Sequence, residues 1–313
     1  MTTAPGILLL AYGGPDSLED IGPYLEDIRG GRPTSPELLA EVRARYAAIG
    51  GRSPLLEITR AQAAALQAAT GLRTYVGMRH WNPRIREAVR QMAEDGVRRA
   101  VALCMAPHYS EMSIGAYYRL LDAALLETGA DIDFHRVQQW YDEPLFLDAL
   151  AGLCRRALER FAPEERGAVQ ILFTAHSLPE RFLKSGDPYP DQLRATAEEV
   201  ARRLGWPRER WGLAYQSAAR SPEPWLRPTV EETIRDWAQA GHRHLLVAPV
   251  GFVAEHIEIL YDLDIAARQW AEQQGVRMER APLPNAEPAF IAALQAVVQR
   301  ALEPPTPVPS GKE

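Results

Sequence analysis

The chain predicts an α/β fold of two doubly wound, Rossmann-like domains, and three observations carry that expectation. Short apolar runs alternate with longer amphipathic stretches along the whole chain. Most runs are apolar nearly throughout, as strands buried on both faces of a parallel sheet are. Four runs fall before about residue 138 and four after it, so the order is duplicated. Each half is therefore expected to hold a four-stranded parallel sheet flanked by helices.

In the first half, GILLLAY (6–12) is the opening strand, and helical patterns follow at 36–49 and 57–70. TYVGM (74–78) is the second strand. A helix over 83–95 leads to AVALCMAP (100–107), and one over 113–127 leads to DIDFHRV (131–137). The segment WYDEP (140–144) marks the join, where Pro144 opens a helix over 143–160. The second half runs VQILFTAH (169–176), helix 191–204, GLAYQS (212–217), helix 228–240 and HLLVAPV (244–250). GFVAEHIEILYDLD (251–264) then reads as a helix entered directly from the strand, with Glu255 at its N-terminus. VRMERAP (276–282) and helix 286–301 complete the order. The expected domains are 1–140 and 141–302, and the Pro-rich segment 303–313 reads as a disordered tail. No sequence repeat links the halves, so the duplication is architectural.

At 313 residues the chain suits two domains of ordinary size. A net charge of −6 argues against a nucleic-acid partner, because phosphate binding wants a basic face. The cysteines are Cys104 and Cys154, short of the roughly four ligands of an iron–sulfur centre, and they read as buried fillers in a reducing compartment. The N-terminus lacks a signal-peptide pattern, and no run approaches the ~18 apolar residues of a membrane span. A cytoplasmic protein without an integral membrane segment is expected. No GxGxxG or GxxxxGK[ST] follows any strand, which weakens a nucleotide-binding reading.

Ligands of open parallel sheets bind beyond the carboxyl ends of the strands, and the unusual residues of this chain gather there. His176 ends one run; it reads locally either as a strand-capping histidine or as a proton or metal handler. Glu258 and Asp262 are four apart and share a helix face, ringed by Phe252, Ile257, Ile259 and Leu260. A solvated helix face is their ordinary home, but an apolar shell suits a carboxyl that carries protons. Tyr12 stands where the first strand ends, before Gly13 and Gly14. Arg29, Arg32, Arg43, Arg45 and Arg52 cluster around glycine loops in the first half, as carboxylate clamps do. Trp81, Trp140 and Trp225 fall near strand ends, either as core or as walls for a flat aromatic ligand.

Ten segments then carry a family resemblance. They include LLLAYGGP (8–15), YAAIGGRSPL (46–55), GMRHWNP (77–83), WYDEP (140–144), FTAHSLPER (173–181), AYQS (214–217) and PVGFVAEHIEILYDLD (249–264). In that order the chain resembles the ferrochelatases over essentially its whole length. The resemblance implies the class II chelatase fold and insertion of Fe²⁺ into a porphyrin held between the two domains. It implies that His176 and Glu258 bind iron and handle protons, and that Asp262 continues an acidic row. It also implies a π-type turn in that helix. The row ends here at Ala266, and Asp264 points to another face.

AYGGP resembles the coproporphyrin-type enzymes, in which this tyrosine ligates the product iron. The implied porphyrin contacts are Tyr12, Arg29, Arg45, Tyr46, Ser53 and Tyr117. The implied reaction converts coproporphyrin III and Fe²⁺ to coprohaem III, in haem b biosynthesis, with no permanent cofactor and no iron–sulfur cluster. A downstream coprohaem-processing enzyme is the expected partner, and a monomer the expected state. The alternatives are a protoporphyrin IX ferrochelatase and a non-catalytic haem or porphyrin carrier on the same fold. Chelatases for cobalt or sirohydrochlorin share the layout but generally lack the YGGP, WNP and WYDEP segments.

Overall fold

Two parallel sheets with the same strand order organise the chain. The structure, a computed structural model, describes residues 4–219 and 221–303, so nearly all of the expected disordered tail lies outside the described residues. The first sheet is built from β1 (Gly6–Ala11), helices α1 (Ile21–Ile28), α2 (Pro36–Ala48) and α3 (Leu55–Thr70), β2 (Thr74–Met78), α4 (Ile85–Glu94) and β3 (Arg99–Cys104). A π-turn (Glu111–Gly115), α5 (Ala116–Thr128) and β4 (Asp133–Val137) complete it. After α6 (Pro144–Leu158) and α7 (Pro163–Arg166) the second begins with β5 (Gln170–His176), α8 (Arg181–Lys184), α9 (Tyr189–Leu204) and β6 (Trp211–Gln216). It ends with α10 (Val230–Gln239), β7 (His244–Ala248), α11 (Ile257–Leu260), a π-turn (Asp262–Ala267), α12 (Arg268–Gln273), β8 (Arg277–Arg280) and α13 (Pro288–Leu302).

The sheet orders are β2-β1-β3-β4 and β6-β5-β7-β8, every pairing parallel. All eight expected strands are present. In each sheet the winding reverses direction beside the first strand, between β1 and β3 and between β5 and β7. Crevices open at such switch points, beyond the carboxyl ends of the strands. The loops leaving β1 and β5, and the loop after β7, are therefore placed to form a site by topology alone.

Alternation within the strands explains why both sheet faces are covered. Ile7 and Leu9 join one cluster, while Leu8 and Leu10 join another with Ile85, Val89 and Leu121. Ile171, Phe173, Leu246 and Ala248 belong to the same cluster as Ile7 and Leu9, so the halves share one core. Trp140 is core: it packs on Phe146 and Phe290 and donates its indole N–H to the Cys104 carbonyl at 3.0 Å. Cys104 and Cys154 sit in different clusters. Helix α13, the last of the second half, returns to pack on α3 and against β3 and β4 of the first. Among the described residues no helix is long and apolar enough to cross a membrane.

Gln62 of α3 is fully buried and ties the halves together. Its amide donates to the carbonyls of Val253 (3.2 Å) and Asn285 (2.9 Å). Asn285 in turn accepts from the Glu255 N–H through its side chain at 3.0 Å. Replacing Gln62 by Leu leaves two acceptors without their donor, and unfolding should require about 1–3 kcal/mol less. The check is the urea midpoint of the variant; an unchanged midpoint would show that the tie contributes nothing to stability.

Candidate active site

The carboxyl end of β5 presents His176, whose backbone is in register with Gln216 of β6. Its Nδ1 contacts the Ser177 carbonyl, and a carbonyl only accepts, so the Nδ1–H must be the donor. In the neutral ring, Nε2 is then a free lone pair. It faces Glu258 Oε1 at 3.5 Å. On the other side of that carboxylate stands His256. Its Nδ1 donates to the Ala254 carbonyl at 2.9 Å, and its Nε2 lies 3.7 Å from Glu258 Oε2. Two imidazoles, each oriented by a carbonyl, thus flank one carboxylate. Both separations exceed hydrogen-bond length, and each becomes an ion pair only when its imidazole is protonated.

Burial pushes the Glu258 carboxyl up, but the His176 charge and the contact with His256 outweigh it, so the group stands below its ordinary value. Burial opposes protonation of His256, while Glu258 favours it and prevails, leaving that imidazole above its ordinary value. The Glu258 backbone carbonyl accepts from the Gln216 amide at 2.7 Å, which anchors the start of the helix.

The segment before Glu258 corrects an expectation. Residues 249–256 are not helical; α11 starts at Ile257. The chain leaving β7 must first cross the end of β5. Gly251 donates to the Thr174 carbonyl at 3.1 Å, and a Cβ on it would sit 2.5 Å from that of Ala175. Glu255 is therefore a loop residue and not a helix N-terminus. It pairs with Arg280 of β8 at 3.1 Å, and the same guanidinium holds Asp264 at 2.6 and 2.8 Å.

Beyond α11 the helix widens into the π-turn Asp262–Ala267, where the Ala266 N–H reaches the Tyr261 carbonyl five residues back at 2.9 Å. Asp262 Oδ2 accepts from Ser217 Oγ at 2.5 Å, and Oδ1 lies 3.7 Å from Arg45 of the other half. Burial leads in raising the Asp262 carboxyl above its ordinary value; the Ser217 hydroxyl opposes it and the nearby Glu258 charge adds to it.

The opposite wall begins at Tyr12, directly after β1. Its ring packs on His80 with centroids 4.6 Å apart, and His80 is fixed by Asp27 at 2.8 Å. Arg79 lies within 6 Å of the ring centres of both Tyr12 and Tyr117. Burial, reinforced by the Glu258 charge and opposed by Arg79, raises the Tyr12 hydroxyl to about 12. Gly13 and Gly14 are forced by this turn. Gly13 has φ +91°, and a Cβ on Gly14 would lie 2.4 Å from Ser53 Oγ.

Tyr46, Ser53 and Tyr117 are buried behind this wall, Ser53 accepting from the Leu55 N–H at 3.3 Å. Arg45 is half-exposed at the end of α2. Arg29 caps α1, and its Nε is buried with no partner among the described residues. Trp225 borders His176, ring centroids 6.5 Å apart. The residues underrated by the sequence are His256, Gln216, Ser217, Arg79 and His80. The HxE triplet and the strand ends AYQS and GMRH were the signals for them. Among the described residues no three or more acidic, imidazole or thiol groups converge as a ready-made cation site.

A family model described as Ferrochelatase matches residues 4–302. A protein of Deinococcus radiodurans named Ferrochelatase is 45% identical over 300 residues, covering 94% of this chain and 95% of its own length. A protein of Geobacillus kaustophilus named Coproporphyrin III ferrochelatase is 41% identical, covering 94% of each chain. Among solved structures, SirB from Bacillus subtilis with Fe³⁺ superposes with a TM-score of 0.59 over 96% of each chain. At 10% identity that likeness speaks for the fold alone.

The Gly14 contact yields a test that is independent of activity. Gly14→Ala should cost about 1–3 kcal/mol of stability, because the new methyl meets the Ser53 side chain at the floor of the turn. Adding Ser53→Gly should recover part of that loss. Thermal unfolding of the two variants measures both effects.

Proposed function

The chain belongs to the ferrochelatase family, and from that premise we propose that it inserts Fe²⁺ into coproporphyrin III, giving coprohaem III. Iron insertion into a porphyrin is the activity of the family. The finer reading concerns which porphyrin is used and which residues act. The observation that carries it is the His176–Glu258 pair, 3.5 Å apart, with the imidazole Nδ1 committed to a carbonyl.

Insertion replaces two pyrrole N–H protons by one Fe²⁺, so the site must present negative charge and accept two protons. A planar macrocycle points its nitrogens inward, away from any base. Contacts to the ring and its carboxylates can hold it bent and expose those nitrogens. His176 Nε2 offers the neutral lone pair that receives a pyrrole proton or the metal. Glu258, held below its ordinary value, stays ionised at neutral pH. It attracts the cation and, as a weak base, passes a proton on rather than keeping it. Asp262, four residues on, is held above its ordinary value by burial and so takes up a proton more readily than an exposed aspartate does. The two carboxylates offer the proton a path from the ring outward. Tyr12 faces the opposite side of the ring and ligates the product iron.

Three features support coproporphyrin III as the substrate. Its four propionates call for more cations than the two of protoporphyrin IX, and Arg29 and Arg45 stand on the neighbouring helices α1 and α2. The buried Nε of Arg29 has no acceptor among the described residues, and an incoming carboxylate would supply one. Relatives in Geobacillus kaustophilus and Listeria innocua carry the coproporphyrin name.

Steady-state metallation with Fe²⁺ tests the reading directly. Coproporphyrin III should be preferred over protoporphyrin IX by roughly tenfold or more in kcat/KM, about the effect of one charge-assisted contact. Equal or reversed preference would assign the protoporphyrin reaction. His176→Ala should lower kcat at least ~100-fold; near-normal metallation would remove His176 from the chemistry. Tyr12→Met should alter the absorption spectrum of the bound product, and an unchanged spectrum would exclude axial ligation by Tyr12.

A further inference from the structure

Arg45 holds two carboxylates at once, one from each half of the molecule. Its Nη2 bonds Glu41 Oε1 one helical turn back at 2.6 Å. Its Nη1 faces Asp262 Oδ1 across the cleft at 3.7 Å, and its guanidinium lies over the Tyr261 ring at 5.3 Å. Asp262 cannot follow Arg45 if the arginine moves. Its other oxygen is bound by Ser217 Oγ at 2.5 Å, and Ser217 is locked at φ +58° at the end of β6. Arg45, Tyr261, Asp262 and Ser217 line one cavity of about 280 Å³, whose charged lining among the described residues is Arg45, Asp262 and Glu231.

We propose that Asp262 is a positioning residue for Arg45: it holds the guanidinium across the cleft in the free protein, and a substrate carboxylate must take Arg45 from it. This rests on the reading of Arg45 as a porphyrin-carboxylate contact. The geometry favours the exchange. At 3.7 Å the Asp262 contact is Coulombic and lacks a hydrogen bond, and the arginine side chain is 35% exposed. A propionate approaching from the cleft can take guanidinium N–H groups in parallel, the stronger arrangement for this pair of groups. The bond to Glu41 lies on the helix side and can persist through the exchange. Once Arg45 turns to the substrate, Asp262 keeps the Ser217 hydroxyl and loses its cation. The outer carboxylate of the proposed proton path is thus uncovered when the porphyrin is seated. The cost is a standing competition, because part of the affinity of Arg45 for the substrate is offset by Asp262.

That competition is measurable. Asn keeps an acceptor for Ser217 but has no charge for Arg45. In a fluorescence titration with coproporphyrin III, Asp262→Asn should therefore bind ~2–5-fold more tightly than the parent protein. Arg45→Met should bind more weakly, and the double variant should match Arg45→Met alone, since the gain exists only through the arginine. Asp262→Glu should restore the parent affinity. Coproporphyrin III tetramethyl ester, which has no carboxylate to exchange, should bind Asp262→Asn and the parent equally. If Arg45→Met weakens binding while Asp262→Asn leaves it unchanged or weaker, the exchange is refuted and the substrate contact stands. If Arg45→Met binds as the parent does, the substrate contact itself fails and the exchange fails with it.

Discussion

One carboxylate flanked by two imidazoles is the constraint from which the rest of this site follows. Glu258 is half-buried, and a charge there is tolerated only with compensation. His176 and His256 provide it, each with Nδ1 committed to a backbone carbonyl and Nε2 turned to the carboxylate. The carbonyls matter as much as the rings. They select the tautomer and so decide which nitrogen is left as a base. Ser177 and Ala254 supply those carbonyls as the residues just beyond β5 and within the loop after β7. The chemistry therefore depends on how the chain leaves two particular strands.

Those departures were partly legible in the sequence. Near-continuous apolar runs imply parallel sheets, and parallel sheets place ligands beyond the carboxyl ends of their strands. Tyr12, His176 and Glu258 were singled out on that ground, and the topology sharpens it, since β1 and β5 each border a reversal of winding. The loop after β7 was not legible. The string GFVAEHIEILYDLD has helical spacing from its first residues, and periodicity alone continues the helix back through Glu255. What prevents it is long-range: the backbone must cross β5 so closely that residue 251 has no room for a Cβ. Gln62, almost two hundred residues earlier in the chain, then fixes Val253 from below. No local pattern encodes either contact.

The four acidic residues of this region show the same division. By spacing, Glu258 and Asp262 share a helix face, Asp264 points to another and Glu255 stands at the start of the helix. In the fold Arg280 gathers Glu255 and Asp264 on the side of β8, where one guanidinium is shared by two carboxylates. Glu258 and Asp262 remain in the cleft, one facing titratable imidazoles and the other an arginine. Arg280 is distant in sequence from the segment it sorts, and only the pairing of β7 with β8 brings it near.

The kind of cation beside each cleft carboxylate determines what each can do. An imidazole gains charge when it takes a proton and loses it when it passes the proton on, so the surroundings of Glu258 can change charge without any group leaving. A guanidinium cannot lose its proton, so Asp262 is freed only if Arg45 moves. The residue at 266, one turn beyond Asp262, is alanine, and it lines the same cavity. A carboxylate there could have replaced Asp262 as the partner of Arg45. With alanine in that place, the proposed mechanism assigns Asp262 both the arginine and the outward path of the proton. The two duties exclude each other at any one moment. On the proposed exchange a site with this composition performs both only in sequence, with the arrival of a substrate carboxylate as the event that separates them.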